Sequence, residues 1–157
     1  MRILLAVDGS PCSDAAVDGV ATRPWPSNSE FRVVSAFELP LSPTPEVWPI
    51  SPAYYTEMDW AVSELARKGV DASSSELKKA LGQSANVTGQ ILAGPPSSAI
   101  LEEAERWKAD LIIVGSHGYG TLRRLVLGSV SQAVVLHAKC SVEIVRHDNC
   151  EKVAEAA

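Results

Sequence analysis

The sequence predicts an α/β fold of the doubly wound kind, a parallel sheet of five strands covered by helices on both faces. Three observations carry that prediction. Short, continuous apolar runs read as strands buried on both faces. Segments with helical apolar spacing alternate strictly with them, as a parallel sheet requires when each step needs a crossover of a dozen or more residues. Polar, glycine-bearing segments, Asp8-Gly9-Ser10 and Gly115-Ser116-His117-Gly118, follow the first and fourth runs. Ligands in such sheets bind beyond the carboxyl ends of the strands, where the winding reverses, so strands one and four are the candidates for that switch point.

The first strand is the run Arg2 to Val7. Ser10 as N-cap and Pro11 at the first helical position start a helix carrying Ala16, Val17, Val20 and Ala21, which Pro24 and Pro26 stop. Phe31 to Phe37 is the second strand. Glu38 to Pro52 holds five prolines and reads as an irregular surface excursion. From Tyr55 to Leu81, Met58, Ala61, Val62, Leu65, Ala66, Val70, Leu77, Ala80 and Leu81 follow helical spacing, with a break expected near Gly69. Val87 to Ala93 is the third strand, and Gly94-Pro95-Pro96-Ser97 turns it into a helix with Ala99, Ile100, Ala104 and Trp107 on one side. Leu111 to Val114 is the fourth strand; a helix from Ser129 to Ala138 and a fifth strand, Val142 to Val145, complete the pattern. Residues 1–148 read as one domain and 149–157 as a frayed tail.

With 157 residues, 46% of them hydrophobic, the chain has the balance of one globular core. Its 19 acidic and 14 basic residues give a net charge of -5, with the basic ones scattered, which argues against nucleic acid or an anionic membrane as partner. Met1 to Val7 is too short for a signal peptide or a membrane span, so a cytoplasmic location is expected. Cys12, Cys140 and Cys150 form no CxxC pair and lack zinc spacing with His117, His137 and His147, so the thiols are expected to be reduced and no structural metal is expected. Cys140, opening a strand, reads as a small buried hydrophobe.

The segment from Gly115 to Ser129 runs from a strand end to a helix start. Glycines let the backbone approach a ligand, and the free N–H groups of a helix's first turn attract an anion, so this segment reads as a phosphate cradle. It is not a Walker A loop, because no Gly-Lys-Ser/Thr occurs, nor the dinucleotide pattern, because Arg123 stands where the third glycine should be. Plainer readings stand beside this one. Asp8-Gly9-Ser10 serves equally as a turn and cap, Ser129 and Gln132 fit a capping box, and Arg123 and Arg124 read either as phosphate partners or as solvated side chains. His117, without an orienting carboxylate in sequence, reads as an exposed loop histidine rather than a general base.

Gly115, Gly118, Gly128 and Ser129 stand at the spacing Gly, two residues, Gly, nine residues, Gly, Ser. In this the chain resembles the universal stress protein family, in its ATP-binding branch, from the Ile-Leu-Leu-Ala-Val-Asp-Gly-Ser opening to the Val-Arg after the last strand. The resemblance implies an adenine nucleotide alpha hydrolase-like sheet in the order 3-2-1-4-5. It further implies that Asp8, with Val7 beside it, contacts the adenosine part and that Ala36 lines the adenine pocket. By the same resemblance Gly115, Gly118, Gly128, Ser129, Val130 and Ser131 surround the phosphates and ribose. ATP is the implied ligand, with AMP and ADP as alternatives, and Asp8 is the candidate to meet a Mg²⁺ carried by it.

The leading functional expectation is a nucleotide-dependent sensor or regulatory module of the stress response, in which ATP orders the loop Gly118 to Gly128 and changes the surface offered to a protein partner. A slow ATPase and a nucleotide-independent interaction domain are the alternatives. The resemblance also implies a homodimer paired through the last strands. Ser141 and Glu143 depart from the family's usual residues there, and a charge on an edge strand discourages pairing.

Overall fold

The computed structural model describes residues 1–38, 52–118 and 127–146. Most of the proline-rich stretch 38–52, most of the loop between Gly118 and Gly128, and the tail 149–157 lie outside the described residues.

Five strands form the sheet: β1 (Arg2–Ala6), β2 (Glu30–Phe37), β3 (Asn86–Ala93), β4 (Leu111–Gly115) and β5 (Ser141–Val145). They lie in the order β3-β2-β1-β4-β5 with every neighbouring pair parallel. β1 is therefore central, with Ile3 opposite both Phe31 and Leu111. The winding reverses between β1 and β4, as the two polar loops suggest. Alternate residues of β1 feed opposite cores, because successive side chains of a strand point to opposite faces. Ile3 and Leu5 join Val17, Val20, Val33, Leu77 and Ile113 on one side. Leu4 joins Val34, Ile100, Ile112 and Val134 on the other. Ile3, Leu4 and Leu5 are fully buried, each contributing about 2 kcal/mol by leaving water.

The helices follow the same division. α1 (Pro11–Ala21) and α2 (Pro52–Leu81) cover the first core, and α3 (Pro96–Trp107) and α4 (Ser129–His137) the second. α2 begins at Pro52, which a first helical turn tolerates, and runs through Gly69 without the expected break. At 1.5 Å per residue its 30 residues span about 45 Å, whereas the eight residues of β3 span about 26 Å. The helix therefore overhangs the sheet. Val70, Ser74 and Leu77 are buried, but Leu65, expected on the apolar face, is 73% exposed.

Where α2 meets β3 it comes close: a Cβ on Gly89 would lie 2.5 Å from Val70 Cγ1 and 3.2 Å from Ser74 Oγ. The Ser74 hydroxyl is buried there with no hydrogen-bond partner. A buried donor left unsatisfied costs roughly 1–3 kcal/mol, so Ser74→Ala is expected to raise stability by about 1 kcal/mol. A urea denaturation should show a higher midpoint at unchanged slope; an unchanged or lower midpoint would mean that the hydroxyl finds a partner in solution.

Glu143 of β5 does not project from the sheet edge as a lone charge. Arg23 takes its carboxylate in a two-point contact, 2.6 Å on each oxygen, and holds it below the usual carboxylate range.

Candidate functional site

The site is built at the switch point from the ends of β1 and β4 and the starts of α1 and α4. The two helix starts differ. At α1, Ser10 is the N-cap: its hydroxyl accepts the Ser13 amide at 3.3 Å. The Ser13 hydroxyl in turn accepts the Gly9 amide at 3.1 Å, and the Ser10 amide donates to Asp8 Oδ1 at 2.9 Å. The α1 end is thus occupied by its own side chains. At α4 the N-cap is Gly128, in an extended conformation, and no side chain caps the helix. Ser129 is already helical, so the capping box expected with Gln132 does not form; the Gln132 amide goes to the Gly128 carbonyl. A first turn without a cap leaves its N–H groups for an anion.

α4 is held in place by hydrogen bonds to the carbonyls of Gly115 and Ser116 at the end of β4. The Gly128 amide donates to Ser116 O at 2.9 Å, and the Ser131 hydroxyl, 4% exposed, donates to Gly115 O at 2.8 Å. Ser131 thus presents its backbone, while its hydroxyl is committed to the β4 end.

Between these elements lies a cavity of about 340 Å³. Val7, Asp8, Ala36, Gly115, Gly118, Gly128, Ser129, Val130 and Ser131, read from the sequence as candidates, all line it. Ala6, Ser13, Pro96, Ile100, Val114 and His117 line it as well. Of these, Pro96 and Ile100 had a signal available: the Gly94-Pro95-Pro96 turn opens α3 at the carboxyl end of β3, and Ile100 lies one helical turn further on. Ala36, Ile100, Val114 and Val130 make an apolar part, and the glycines with the start of α4 a polar part.

The loops after β1 and β4 are in contact. The Ser10 hydroxyl donates to His117 O at 3.3 Å, and a Cβ on Gly118 would lie 2.5 Å from Asp8 Oδ2. Only a residue without a side chain lets Gly118 pass that close to the carboxylate. His117 Nδ1 lies 3.2 Å from Ser116 Oγ. Among the described lining residues Asp8 is the one carboxylate, and among the described residues no group of three His, Cys, Asp or Glu converges to hold a metal. With Oδ1 taken by Ser10, Asp8 has one oxygen left for an ion. Cys12, buried behind the site and 3.7 Å from Ser116 Oγ, is disulfide-bonded. This corrects the expectation of three reduced thiols, because spacing along the chain does not reveal which sulfurs a fold brings together. Cys140 is a free, half-buried thiol pushed up by burial and then by Asp110.

The outer side of α1 is acidic. Burial, then Asp18 and Asp8, hold the Asp14 carboxyl above the usual range, and burial, then Asp18, do the same to Glu76 on α2. A carboxyl whose folded pKa is raised destabilises the fold when ionised. That penalty disappears as pH falls through the folded value toward the ordinary one, near 3.8 for Asp14 and 4.5 for Glu76. Glu143 has the opposite sign, contributing stability above its ordinary 4.5 that is lost as pH falls below it. Asp18→Asn is expected to raise stability at pH 7 by about 0.3 kcal/mol, the size of a like-charge pair one helical turn apart. The gain should shrink toward pH 5 in denaturation curves; a gain that grows on acidification would contradict this account.

Fold and site together define the chain as a doubly wound α/β domain with a cavity at its switch point and an uncapped helix start facing it. The universal stress protein family model matches residues 1–146, and the chain belongs to that family. A universal stress protein of Thermus aquaticus is 35% identical over 144 residues, covering 92% of this chain and 97% of that one. Among solved structures, MJ0577 superposes with a TM-score of 0.78 at 24% identity, covering 94% of this chain and 96% of that one. A universal stress protein in complex with cAMP superposes at 0.65 with 26% identity, covering 92% and 96%.

Proposed function

We propose that the chain binds an adenine nucleotide, ATP before AMP or ADP, and acts as a nucleotide-dependent sensor or regulatory module of the stress response. One observation carries this reading: the uncapped first turn of α4 opens onto a cavity whose other part is apolar. Phosphate suits the first and an adenine ring the second. The related structure holding cAMP supports the same ligand class. Of the site residues, Val7, Ala36 and Val130 would meet the base and ribose. Gly118, Ser129 and Ser131 would meet phosphates through main-chain amides, while Gly115 and Gly128, the latter with its amide held by Ser116 O, would let the backbone come close to them. Asp8 Oδ2 would meet the ribose or a Mg²⁺ whose other ligands come from phosphate and water.

Mass spectrometry of the denatured purified protein and calorimetry with ATP test the proposal. A copurifying adenine nucleotide or saturable binding is expected; neither ligand nor heat at millimolar ATP would end it. Because Asp8 faces the cavity, slow ATP hydrolysis is a second reading, and phosphate release that is unaffected by Asp8→Ala would remove Asp8 from it.

A homodimer paired through β5 belongs to the same proposal. β5 is an edge strand, and the Arg23 contact neutralises Glu143, lifting the objection that a bare charge there would raise. Light scattering at tens of micromolar should give a dimer's mass; a monomer would refute the pairing.

A further inference from the structure

We infer that Ser10 is a positioning residue for the nucleotide phosphate, acting through the peptide that joins His117 to Gly118. This role rests on the nucleotide reading above. Ser10 is 1% exposed and does not line the cavity, so it does not touch a ligand itself. It stands instead between the two loops that do. Its amide holds Asp8 by Oδ1 at 2.9 Å, and its hydroxyl holds His117 by the carbonyl at 3.3 Å.

Three consecutive carbonyls of the β4 loop are anchored to protein donors: Gly115 O by the Ser131 hydroxyl, Ser116 O by the Gly128 amide and His117 O by the Ser10 hydroxyl. No peptide bond in the described chain is cis, and in a trans peptide the N–H points opposite to the C=O. Drawing His117 O toward Ser10 therefore turns the Gly118 N–H away from α1, on the residue that lines the cavity. The first two anchors join β4 to α4, segments already near in sequence. The Ser10 anchor is the one that crosses from the β1 loop, so it sets the orientation of the Gly118 amide relative to Asp8. A hydroxyl that both caps a helix and fixes an anion-facing peptide has two separable effects: the cap contributes to folding, and the peptide orientation to phosphate binding alone.

Ser10→Gly separates them. Glycine is well tolerated at an N-cap, and it keeps the main-chain bond to Asp8 while removing the hydroxyl. Calorimetric titrations of AMP and of adenosine on the full chain, wild type against Ser10→Gly, give the test. AMP affinity is expected to fall about five-fold, the worth of one neutral hydrogen bond, and adenosine affinity by less than about two-fold on the same grounds. Ser10→Ala, which loses the same hydroxyl and leaves a poorer cap, should show the same AMP-to-adenosine ratio despite a lower melting temperature. AMP affinity unchanged in Ser10→Gly, or AMP and adenosine weakened equally, would overturn the role and leave Ser10 a helix cap. Wild type that binds neither compound would overturn the nucleotide reading itself, and this proposal with it.

Discussion

Replacing Gly115 by alanine is expected to lower stability by about 3 kcal/mol, the upper end of the usual cost of forcing an atom into filled space. A Cβ there would lie 2.8 Å from the Cys12 carbonyl carbon, 2.9 Å from its oxygen and 3.0 Å from the Ser13 nitrogen. All three are backbone atoms of the first turn of α1, so no side-chain rotation relieves the contact. The end of β4 and the start of α1 must separate. Because Asp8 and Ser10 lie just before α1, nucleotide affinity should fall in parallel, by about tenfold if 1.4 kcal/mol of the strain is passed to the site. For a chain of this size the loss corresponds to a melting temperature lower by roughly 10 °C. Gly19→Ala, in the last turn of α1 where a Cβ meets nothing within 4 Å, provides the contrast: about 0.5 kcal/mol of added stability is expected from replacing a helical glycine. A Gly115→Ala melting temperature within 2 °C of wild type would mean that the two elements are not in contact in solution.

The second large effect lies on α3. Glu103 is 3% exposed, yet it is a carboxylate. It is held by Arg32 of β2 at 2.5 Å and by Arg106 one helical turn on, with the Gln90 carboxamide of β3 between Glu103 and Arg106. The Arg32 guanidinium also lies over the Trp107 ring, 4.5 Å from its centre. Removing one member of a buried charged set leaves the rest uncompensated, which costs about 3–5 kcal/mol when burial is complete. Arg32 keeps 19% of its side chain in water and Arg106 most of it, so Glu103→Ala is expected to cost about 2 kcal/mol, less than the buried limit. Glu103→Leu combined with Arg32→Met should recover most of that loss, since replacing both partners by apolar side chains is often neutral. Denaturation midpoints of the three proteins decide it: equal losses for the single and double variants would show that packing of α3, not charge, sets the stability here. Glu103 lies three residues after Ile100, on the same side of α3, so the cluster also holds the apolar wall of the cavity against β2.

Much of the site was legible because its signals are local. A glycine spacing, a strand end followed by a polar turn and an acid after β1 are all written in runs of a few residues, and alternation of apolar runs with helical spacing is enough to fix a parallel, doubly wound sheet. Pro96 and Ile100 were missed because a lining role depends on which strand lies next to which, and β3 reaches the site only through β2. Leu65 shows the complementary limit: helical spacing identifies the apolar face, but exposure depends on α2 being longer than the strands beneath it.

What the chain determined by itself, then, is the succession of elements and the place of the two polar loops, because main-chain propensity and apolar period act over a few residues at a time. The tertiary structure alone decided that α4 starts open, since Gly128 leaves it uncapped, and that the Ser10 hydroxyl, besides capping α1, reaches His117 across 107 positions. It decided likewise that Glu143 meets Arg23 and that Glu103 meets Arg32. Hydrogen bonds and ion pairs form between whatever groups the packed layers bring within about 3 Å, and sequence separation carries no information about that distance.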